Sequence, residues 1–483
     1  MDYEAFVLGE KTLLVAPAGY GKTHTIVECL KHTSGLQLVL THTHAGLASI
    51  KEKIKKEDIP SSNYQIETIS SFAQKYAHAF YVGEDLPDQD SNNYHSFIID
   101  AAKTIFGSNS ASRVLKNTYQ GVFVDEYQDC SKPQHAMLMK IAEVMPMHIF
   151  GDPLQGIFDF NGEAVDFEND LSEFEKFQNL ETPHRWRQEG GNPELGEQIK
   201  EYRSLLESNN KIPLVKNDEI GLHINITNEN DFHKKDSPYR QWLKQLVKGD
   251  TSYGSLLIIA PPDQPIKSRA KIRSSIDPAK SLTVLEAIDD KMFYTLAKNS
   301  DALISQISRA DNPAREVREK VLANIFIKTG LEKWFGTNGV KRKKDSADRE
   351  KATQIQITID GFVSSNSAGA LRAVIKEVKS ILGVNYLRDE LYYSLDKALE
   401  NSNLSKQSVY ECMKENRNTI RRVGRKEKNK CIGTTLLTKG LEFDTVSILD
   451  AHKFKCAKHL YVALSRGRKK LIIFSESPEL SLD

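Results

Sequence analysis

The chain alternates short apolar runs with stretches in which apolar residues recur at helical spacing. After the first run, Ile26, Val27 and Leu30 mark one helix face, and near the end Leu460 and Leu464 mark another. Repeated strand–turn–helix signals of this kind predict an α/β fold with parallel sheets, and they fall into two blocks. The runs that we interpret as buried strands lie at 12–15, 38–40, 121–124, 256–260, 282–285, 445–449 and 471–474.

Each block contains an insertion, and both insertions are predicted to be mainly helical. In the larger insertion, apolar residues recur at helical spacing at Leu371, Val374, Ile375, Val378 and Leu382. The predicted domain limits are 1–74 with 117–178 for the first block, 75–116 for its insertion, 179–297 with 429–483 for the second block, and 298–428 for its insertion.

Two basic clusters lie in the larger insertion. The first is Lys341, Arg342, Lys343 and Lys344, and the second extends from residue 417 to residue 430. Such clusters are able to follow a nucleic-acid backbone. For the first cluster, a solvated loop explains the composition equally well.

The composition is that of an ordinary folded protein: 483 residues, 39% hydrophobic, 27% charged, and a net charge of +1. Any nucleic-acid-binding surface would therefore have to be local. The five cysteines are scattered without a CxxC pair, which indicates a reducing compartment and argues against a disulfide framework or a zinc site. No apolar run is long enough to span a membrane and no secretion signal follows Met1, so we expect a cytoplasmic location and no membrane partner.

The first strand leads into a small-residue turn, Ala16-Pro17-Ala18-Gly19-Tyr20-Gly21-Lys22-Thr23, and a helix follows. This is the context that a Walker A phosphate-binding loop requires. Small residues would let the backbone N–H groups of residues 18–21 approach phosphate oxygens, Lys22 would reach the β- and γ-phosphates, and Thr23 would bind magnesium. Ala16 stands where the strict motif has glycine. The alternative is a glycine turn that caps an ordinary helix.

The apolar run at 121–124 ends in two carboxylates, Asp125 and Glu126, with Gln128 behind them. Carboxylates at the end of a strand suit a magnesium–nucleotide site, in which Asp125 would hold the metal and Glu126 would take a proton from water. An acidic pair in a loop is otherwise usually a solvated loop. The phosphate loop upstream favours the chemical interpretation here.

With both motifs in place, the chain resembles superfamily 1 helicases of the UvrD/Rep type. Those enzymes share the alanine variant of the phosphate loop and the acidic box D-E-F/Y-Q-D. The resemblance implies nucleic-acid contacts at Thr41 and His44, where His44 replaces an asparagine, and at Ser71 and Phe72. Both of these motif matches are loose, and either alone would also fit a helix cap.

Further motifs follow in the family's order. Residues 149–158 resemble the end of a strand followed by G-D-x-x-Q-S-I-Y, in which Gln155 would sense the γ-phosphate and the attacking water. Phe158 and Phe160 stand where the family stacks aromatic rings on bases, and core packing is the alternative for both. Residues 180–186 resemble L-x-x-N-Y-R-S, which makes Arg185 a candidate arginine finger and places His184 where a ring stacks on adenine.

The motifs K-G-L-E-F, at 439–443, and Y-V-A-L-S-R, at 461–466, complete the series. By resemblance, Gly440 and Glu442 would contact the nucleotide and Arg466 would be a second arginine finger. The alternative for Arg466 is a cation that compensates the dipole at a helix C-terminus. The family's glutamine motif is not visible before residue 12, and Tyr3 and Phe6 are the residues there that could pack on the base.

The resemblance implies two RecA-like P-loop domains, ATP and Mg²⁺ as cofactors, and an ATP-dependent translocase or helicase. Its substrate would be single-stranded or partly single-stranded DNA, followed from 3′ to 5′. The compact insertions also look similar to the helicase subunit of Gabija-type anti-phage systems. That likeness implies a role in antiviral defence and an OLD/TOPRIM-type nuclease subunit as partner. The alternative function is an ATP-gated adaptor that senses DNA ends and recruits a nuclease with little unwinding.

Overall fold

The computed structural model describes all residues except 84–85, 88–90, 92, 159–162, 179, 228–236, 250–253, 278–280, 286–289, 382, 424–428 and 483. The chain forms two compact units, Met1–Asp263 with Lys426–Asp483, and Gln264–Arg425. The first unit contains two parallel sheets, and the second is mainly helical. The predicted α/β class with two parallel, helix-flanked sheets is confirmed.

The first sheet of the first unit is parallel throughout its described strand pairs. Its strands are β1 (Lys11–Val15), β2 (Gln37–Thr41), β3 (Tyr64–Thr68), β4 (Gly121–Val124), β5 (Met147–Gly151) and β6 (Glu175–Phe177). They are ordered β3-β2-β4-β5-β1-β6. All residues of β2, β4 and β5 are buried, as expected when helices cover both faces of a parallel sheet. The carboxyl ends of β4, β5 and β1 therefore lie side by side at one edge.

Helices connect the strands of this sheet, and side-chain caps begin several of them. The hydroxyl of Thr43 accepts from the N–H of Gly46 at 3.0 Å, and that of Thr68 accepts from the N–H of Ser71 at 3.1 Å. Both loose motif matches thus include the helix cap that we gave as the alternative. The helices are α1 (Tyr3–Leu8), α2 (Lys22–Lys31), α3 (His44–Lys56), α4 (Ile69–Phe80), α5 (Tyr94–Phe106), α6 (Asn109–Thr118) and α7 (Lys132–Ala142).

The second sheet of this unit is built from the later part of the chain. Two short strands, β7 (Ile212–Pro213) and β16 (Glu479–Leu480), pair separately in antiparallel fashion. The sheet contains β8 (Leu222–Ile226), β9 (Leu256–Ala260), β13 (Lys430–Thr434), β14 (Phe443–Ile448) and β15 (Gly467–Ser475), parallel and ordered β13-β9-β14-β15-β8. Its helices are α8 (His184–Arg187), α9 (Pro193–Glu207), α10 (Pro238–Lys248), α20 (Thr435–Thr438) and α21 (Ala457–Leu464).

The second unit packs its helices around one apolar core and carries a short antiparallel hairpin, β11 with β12. Its elements are α11 (Ile266–Ile276), β10 (Thr283–Val284), α12 (Asp290–Gln306), α13 (Pro313–Val317), a π-helical turn (Arg318–Leu322), α14 (Ala323–Ile325), α15 (Lys328–Leu331), β11 (Phe335–Gly336), β12 (Gly339–Val340), α16 (Ser346–Ser365), α17 (Ala368–Ser380), α18 (Asp389–Ser405) and α19 (Val409–Val423).

The predicted helical spacing in this unit is found on α17. Its buried face includes Leu371, Val374, Ile375 and Val378, while Leu382 lies outside the described residues. The compact unit begins at Gln264, ahead of the insertion start predicted at 298. The predicted domain limits stay predictions.

Within the described parts of the chain, no helix is both long and apolar enough to cross a membrane. All five cysteines are free thiols. In the same residues, no group of three or more His, Cys, Asp or Glu side chains is placed to hold a metal ion.

Candidate nucleotide-binding site

The candidate site lies in the first unit, where the carboxyl edge of the first sheet meets the amino ends of β14 and β15. The turn after β1, Asp125 after β4 and Asp152 after β5 come together because β1, β5 and β4 are adjacent strands. The N–H of Ala16 donates to the carbonyl oxygen of Gly151 at 2.9 Å, which ties the turn to the neighbouring strand. The second sheet contributes the loop before β14 and the residue before β15.

The predicted phosphate loop has the backbone shape that its glycines allow. Gly19 and Gly21 have φ angles of +78° and +92°, in the left-handed region that favours glycine. A Cβ atom on Gly19 would lie 2.8 Å from the indole of Trp186 and 2.9 Å from Cβ of Arg185, so close packing also requires glycine there. Tyr20, which lies between Gly19 and Gly21 in the sequence, is buried, and this burial raises its pKa to about 12.

One backbone N–H group of this loop is hydrogen-bonded to α21, a helix of the second sheet. The N–H of Ala18 donates to the hydroxyl of Tyr461 on α21 at 3.1 Å. The guanidinium carbon of Arg203 lies 4.9 Å from the centroid of the Tyr461 ring. Burial, with the nearby charge of Asp152, raises the pKa of Tyr461, so the phenol stays protonated. The loop is therefore attached to the part of the molecule that carries the last motif.

Lys22 bridges the two carboxylates of the acidic box, the predicted metal ligand Asp125 and the predicted base Glu126. Its Nζ lies 2.7 Å from Oε1 of Glu126 and 3.7 Å from Oδ1 of Asp125. Lys22 and Asp125 are buried, and Glu126 is half-buried at 26% exposure of its side chain. The N–H of Glu126 donates to Oδ1 of Asp125 at 2.9 Å, and the amide of Gln128 donates to Oε2 of Glu126. The acidic box and the phosphate loop are thus one cluster.

These charges shift one another's pKa values. Burial raises the pKa of Asp125 to about 6, although Lys22 opposes the shift. Burial also acts against ionisation of Glu126, but Lys22 and Lys439 outweigh it and lower the pKa of Glu126 to about 2. Burial alone would lower the pKa of Lys22, and the two carboxylates raise it instead. At neutral pH Glu126 is ionised, and Asp125 is the first of the pair to take up a proton on acidification.

Gln155 is oriented by a fully buried carboxylate, Asp152. Arg203 of α9 donates from both terminal nitrogens to the two oxygens of Asp152, each at 2.8 Å. The side-chain amide of Gln155 donates to the same carboxylate at 2.8 Å. The amide oxygen of Gln155 then accepts from Nη2 of Arg466 at 3.3 Å. A buried aspartate is stable only with such partners, so Arg203 holds the arrangement together.

Arg466 is almost completely buried and has two roles in the packing. Its Nε donates to the carbonyl oxygen of Val462 at 3.0 Å in the last turn of α21, which is the helix-end contact that we gave as the alternative. Its Nη2 also reaches Gln155, in the other sheet. Burial, and next the charge of Arg185, lower the pKa of Arg466 to about 10. The two candidate arginine fingers therefore lie near each other.

Arg185 connects the phosphate loop with both C-terminal motifs. Its N–H donates to the carbonyl oxygen of Gly19 at 2.8 Å. Its side chain donates to Glu442 Oε1 at 2.6 Å and to the carbonyl oxygen of Ser465. Its Nε is buried and meets no hydrogen-bond acceptor among the described residues. This buried donor points to a missing acceptor in the site.

Lys439 makes a second buried link between the sheets. Its Nζ donates to both carboxylate oxygens of Asp129, one of them at 2.6 Å, and to the carbonyl oxygen of Gln155. Burial raises the pKa of Asp129 to about 7, against the effect of Lys439. The same ammonium group lies 5.0 Å from the centroid of the Phe158 ring. The Gln155 loop is therefore held on one side by Arg466 and on the other by Lys439.

The other predicted nucleotide contacts lie at more open positions. Cδ2 of the His184 ring is 3.3 Å from where a Cβ atom on Gly21 would stand, so this exposed ring lies against the phosphate loop. Thr23 is half-buried in the first turn of α2. Gly440 has a φ angle of +81° and open space at its Cβ position.

Two aromatic residues that the sequence offers as contact residues lie in the core. Phe72 is completely buried, with its ring centroid 4.9 Å from that of Tyr76 and 5.7 Å from that of Phe106. This placement corrects the expectation that the Phe72 ring is available to a strand. Phe6 is also fully buried, and its centroid lies 5.2 Å from that of Phe150, so it is not available to a base.

The remaining predicted strand contacts vary in exposure. Thr41 is buried, and its hydroxyl has no hydrogen-bond partner among the described residues. His44 is half-buried and begins α3, and the Ser71 hydroxyl is 2.6 Å from that of Thr68 in the helix cap. Phe158 is half-buried beside Lys439. Phe160 lies outside the described residues.

Sequence reasoning missed several charged residues of this site. Arg203 falls between Ile199 and Leu206 on the apolar face of α9, and an arginine at that position is a signal for a buried partner. The sequence singled out Lys439 only as the first residue of the K-G-L-E-F motif, without a role in the site. Lys53 of α3 is a further cation: burial lowers its pKa, and the charges of Glu442, Asp125 and Arg185 also act on it.

The residues present fit a bound triphosphate. A glycine-shaped turn stands at the N-terminus of α2, where backbone N–H groups and the helix dipole favour an anion. Lys22 is buried beside it, and the buried Nε of Arg185 has no acceptor in the part of the chain that the structure describes. Asp125 and Thr23 supply oxygen atoms of the kind that magnesium prefers.

Comparison with known proteins finds similarity to a family model over the first part of the chain. Residues 4–161 match the family model of an AAA domain. A curated relative, the Gabija protein GajB of Bacillus cereus strain VD045, is 22% identical over an alignment of 386 residues that covers 77% of this chain. The chain spans 66% of that relative's length.

Two solved structures of the arterivirus nonstructural protein 10 helicase are also similar. The protein alone is 15% identical, with a TM-score of 0.28 over 55% of this chain and 50% of its own. The complex with DNA is 14% identical, with a TM-score of 0.26 over 53% of this chain and 48% of its own.

The AAA-domain match and the likeness to a Gabija protein confirm the resemblance predicted from the motifs. The matched residues, 4–161, include the phosphate loop, the acidic box and Gln155. The individual roles assigned to site residues stay predictions.

Proposed function

We propose that the protein is a DNA-dependent ATPase that moves along single-stranded DNA from 3′ to 5′ and separates strands. The observation that carries this proposal is the composite site of the first unit. Arg185 and Arg466 reach it from the second sheet's side and contact Gly19 and Gln155 of the first. A site made from two sheets can change shape with the nucleotide, which is what a motor requires.

In this proposal the chain's residues divide the work of phosphoryl transfer. Lys22 and the loop amides hold the phosphates, and Glu126 accepts the proton of the attacking water. Gln155 orients that water. Arg185 and Arg466 neutralise charge that develops on the transferred group, an effect that is typically worth about 10³–10⁵-fold in rate.

Magnesium would be held by Thr23 and Asp125. An ion held there would neutralise part of the charge of the phosphates. Asp125 has to be ionised for this, and its neighbour Lys22 favours the ionised form. The Lys22 ammonium would turn from the carboxylates to the phosphates as the nucleotide enters.

The binding of a DNA strand would be transmitted to the nucleotide site through the loop that carries Gln155. Lys439 donates to the carbonyl oxygen of Gln155 and lies over the Phe158 ring. If the Phe158 ring moved when it stacked on a base, Lys439 would therefore shift the side-chain amide of Gln155 that orients the water. Thr41, His44 and Ser71 are the further candidate strand contacts in the described residues, and Phe160 is a candidate from the sequence alone.

The test is the ATPase rate of the purified protein with and without single-stranded DNA. We expect marked stimulation by the strand. A rate that no nucleic acid changes would contradict the motor. Substrates with a single-stranded tail at either the 3′ or the 5′ end then establish the direction of movement.

An ATP-gated adaptor that senses DNA ends and recruits an OLD/TOPRIM-type nuclease is the second candidate. The likeness to a Gabija protein and the near-neutral net charge of +1 favour it. A strand-displacement assay separates the two functions, because an adaptor would hydrolyse ATP on DNA ends without releasing the strand.

A further inference from the structure

The second unit carries a group of cations that the proposed nucleotide site does not use. We call the hairpin β11–β12, together with the segment after it and the first turn of α16, the basic hairpin. Its five cations are Lys341, Arg342, Lys343, Lys344 and Arg349. All five are exposed or half-buried.

The basic hairpin is a folded element rather than a solvated loop. The N–H of Lys341 donates to the carbonyl oxygen of Trp334 at 2.8 Å, which extends the hairpin pairing by one residue. Trp334 and Phe335 are buried in the unit's core. Arg318 donates to the carbonyl oxygen of Gly336 at 3.0 Å and ties the hairpin to the helices. The cations are therefore presented on a fixed backbone.

Backbone carbonyl groups, not carboxylates, hold three of these cations. Lys341 Nζ donates to the carbonyl oxygen of Glu332 at 2.6 Å, and Lys343 Nζ donates to that of Lys333 at 2.5 Å. Arg349 donates to the carbonyl oxygen of Lys344 at 2.8 Å. A neutral acceptor fixes a cation in place and leaves its charge intact.

Several helix cations of the same unit face carboxylates. Arg315 lies 3.1 Å from Glu319, and Lys328 lies 3.6 Å from Glu332. Within the described residues, the five cations of the basic hairpin have no carboxylate at ion-pair distance, whereas the helix cations next to them do. Four of these cations, Lys341 to Lys344, are consecutive in the sequence, so uncompensated positive charge is concentrated at this element.

We propose that the basic hairpin binds the sugar–phosphate backbone of duplex DNA. This rests on the proposed function only in taking DNA as the partner. Proteins that bind single strands combine cations with exposed aromatic rings on which bases stack. Here the two aromatic rings beside the cations, Trp334 and Phe335, are buried, and Lys343 Nζ lies 4.4 Å from the centroid of Trp334. A surface with cations and no free ring suits a duplex, whose bases are already stacked and whose phosphates face outward.

The test compares two double variants of the full chain that remove the same charge. Arg342→Gln with Lys344→Gln removes two exposed cations of the basic hairpin. Lys320→Gln with Lys328→Gln removes two cations of the same unit that face Glu316 and Glu332. Affinity is measured for a blunt duplex and for a single strand of equal length, over a range of salt concentrations. Thermal unfolding verifies that both variants fold.

For the duplex, we expect the hairpin variant to reduce the slope of log K against log salt by ~1.8, because each lost phosphate contact contributes ~0.9. If the binding curves meet at 1 M salt, that slope corresponds to roughly 60-fold weaker duplex binding at 0.1 M. Binding of the single strand should change less than about twofold, and the control variant should bind both as the wild type does.

An unchanged duplex slope in the hairpin variant would overturn the inference. An equal loss for the single strand would also overturn it, since the surface would not be a duplex site. If the wild type bound no nucleic acid and showed no stimulated ATPase, the proposed function would fail as well. Normal stimulation with a wild-type slope in the hairpin variant would refute the duplex surface alone.

Discussion

The cations of the nucleotide site and those of the basic hairpin are the same residue types in opposite settings. The side chains of Arg203, Lys439 and Arg466 are almost fully buried, and each is held by a carboxylate, an amide or a carbonyl group from the loops of the first sheet. Arg342 and Lys344 are exposed and have no carboxylate at ion-pair distance in the described residues. Burial therefore decides what a positive charge does in this protein.

A buried cation cannot be removed without leaving its partner unpaired in a poorly solvated place, so its loss affects both folding and chemistry. An exposed cation on a fixed backbone costs little to lose, and only a long polyanion responds to its absence. The first setting gives precise positioning at short range, and the second gives attraction at long range. The experiments below test this contrast, from the largest expected effect to the smallest.

Replacing Arg466 with alanine should reduce kcat by about 10³–10⁵-fold, which is the effect typical of an arginine finger. Its control is Arg468→Ala, two residues along, where the lost contact is a partly exposed ion pair with Asp444 at 2.9 Å. Steady-state ATPase assays with DNA measure both. Similar losses in the two variants would mean that local folding, and not the buried guanidinium, explains the effect.

Replacing Glu126 with glutamine removes an anion from the same cluster and tests the other half of the contrast. Nucleotide binding should persist because Lys22 loses a competitor for the phosphates, while kcat should fall by ~10²–10⁴-fold because no base accepts the proton. Binding of a fluorescent nucleotide and single-turnover hydrolysis separate the two steps. Normal turnover in this variant would remove Glu126 as the base.

Arg203→Met should destabilise the protein by ~3–5 kcal/mol, since it leaves Asp152 buried without its ion-pair partner. The matched control is Arg187→Met, whose partner Glu197 lies 2.9 Å away in an exposed pair. That exposed pair should contribute only about 0–1 kcal/mol. Urea unfolding measures both values, and equal losses would show that burial does not set the cost here.

Acidification should affect the buried site and leave the basic hairpin unchanged. Because burial raises the pKa of Asp125 to about 6, its protonated form accumulates as the pH falls through 6, and that form cannot hold a metal. The ratio kcat/KM for ATP should therefore decline below pH 6, whereas an ordinary aspartate would lose its charge only near pH ~4. Lysine and arginine stay charged throughout, so duplex binding should be flat from pH ~8 to ~5. An acid limb near pH ~4 would exclude the buried aspartate as its cause.

The features that short contiguous segments of the chain encode could be predicted from the sequence. The phosphate loop, the acidic box and the strands that precede them each occupy a short stretch whose local pattern suffices. The helical face of α17 was predictable for the same reason, since burial at Leu371, Val374 and Ile375 follows from spacing alone. The order of motifs along the chain supplied the pairing of the two blocks.

The contacts that hold the site together could not be predicted, because their partners are far apart in sequence. Arg203 meets Asp152 across 51 residues, and Tyr461 meets Ala18 across 443. No local pattern encodes such a pair. Phe72 shows the opposite failure: its motif position points to nucleic acid, while Tyr76 and Phe106 enclose its ring, and only packing reveals this.

Because Trp186 packs closely against Gly19, its intrinsic fluorescence reports on the position of the phosphate loop. The indole of Trp186 is anchored by its Nε1, which donates to the carbonyl oxygen of Gly467 at 2.7 Å, so the loop cannot shift without altering the ring's surroundings. The chain has three tryptophans, and the others, Trp242 and Trp334, lie beside Phe474 and beneath Lys343. A chain that retains only Trp186 would show nucleotide entry as a change in emission, and one that retains only Trp334 would show DNA arriving at the basic hairpin, each without an added dye.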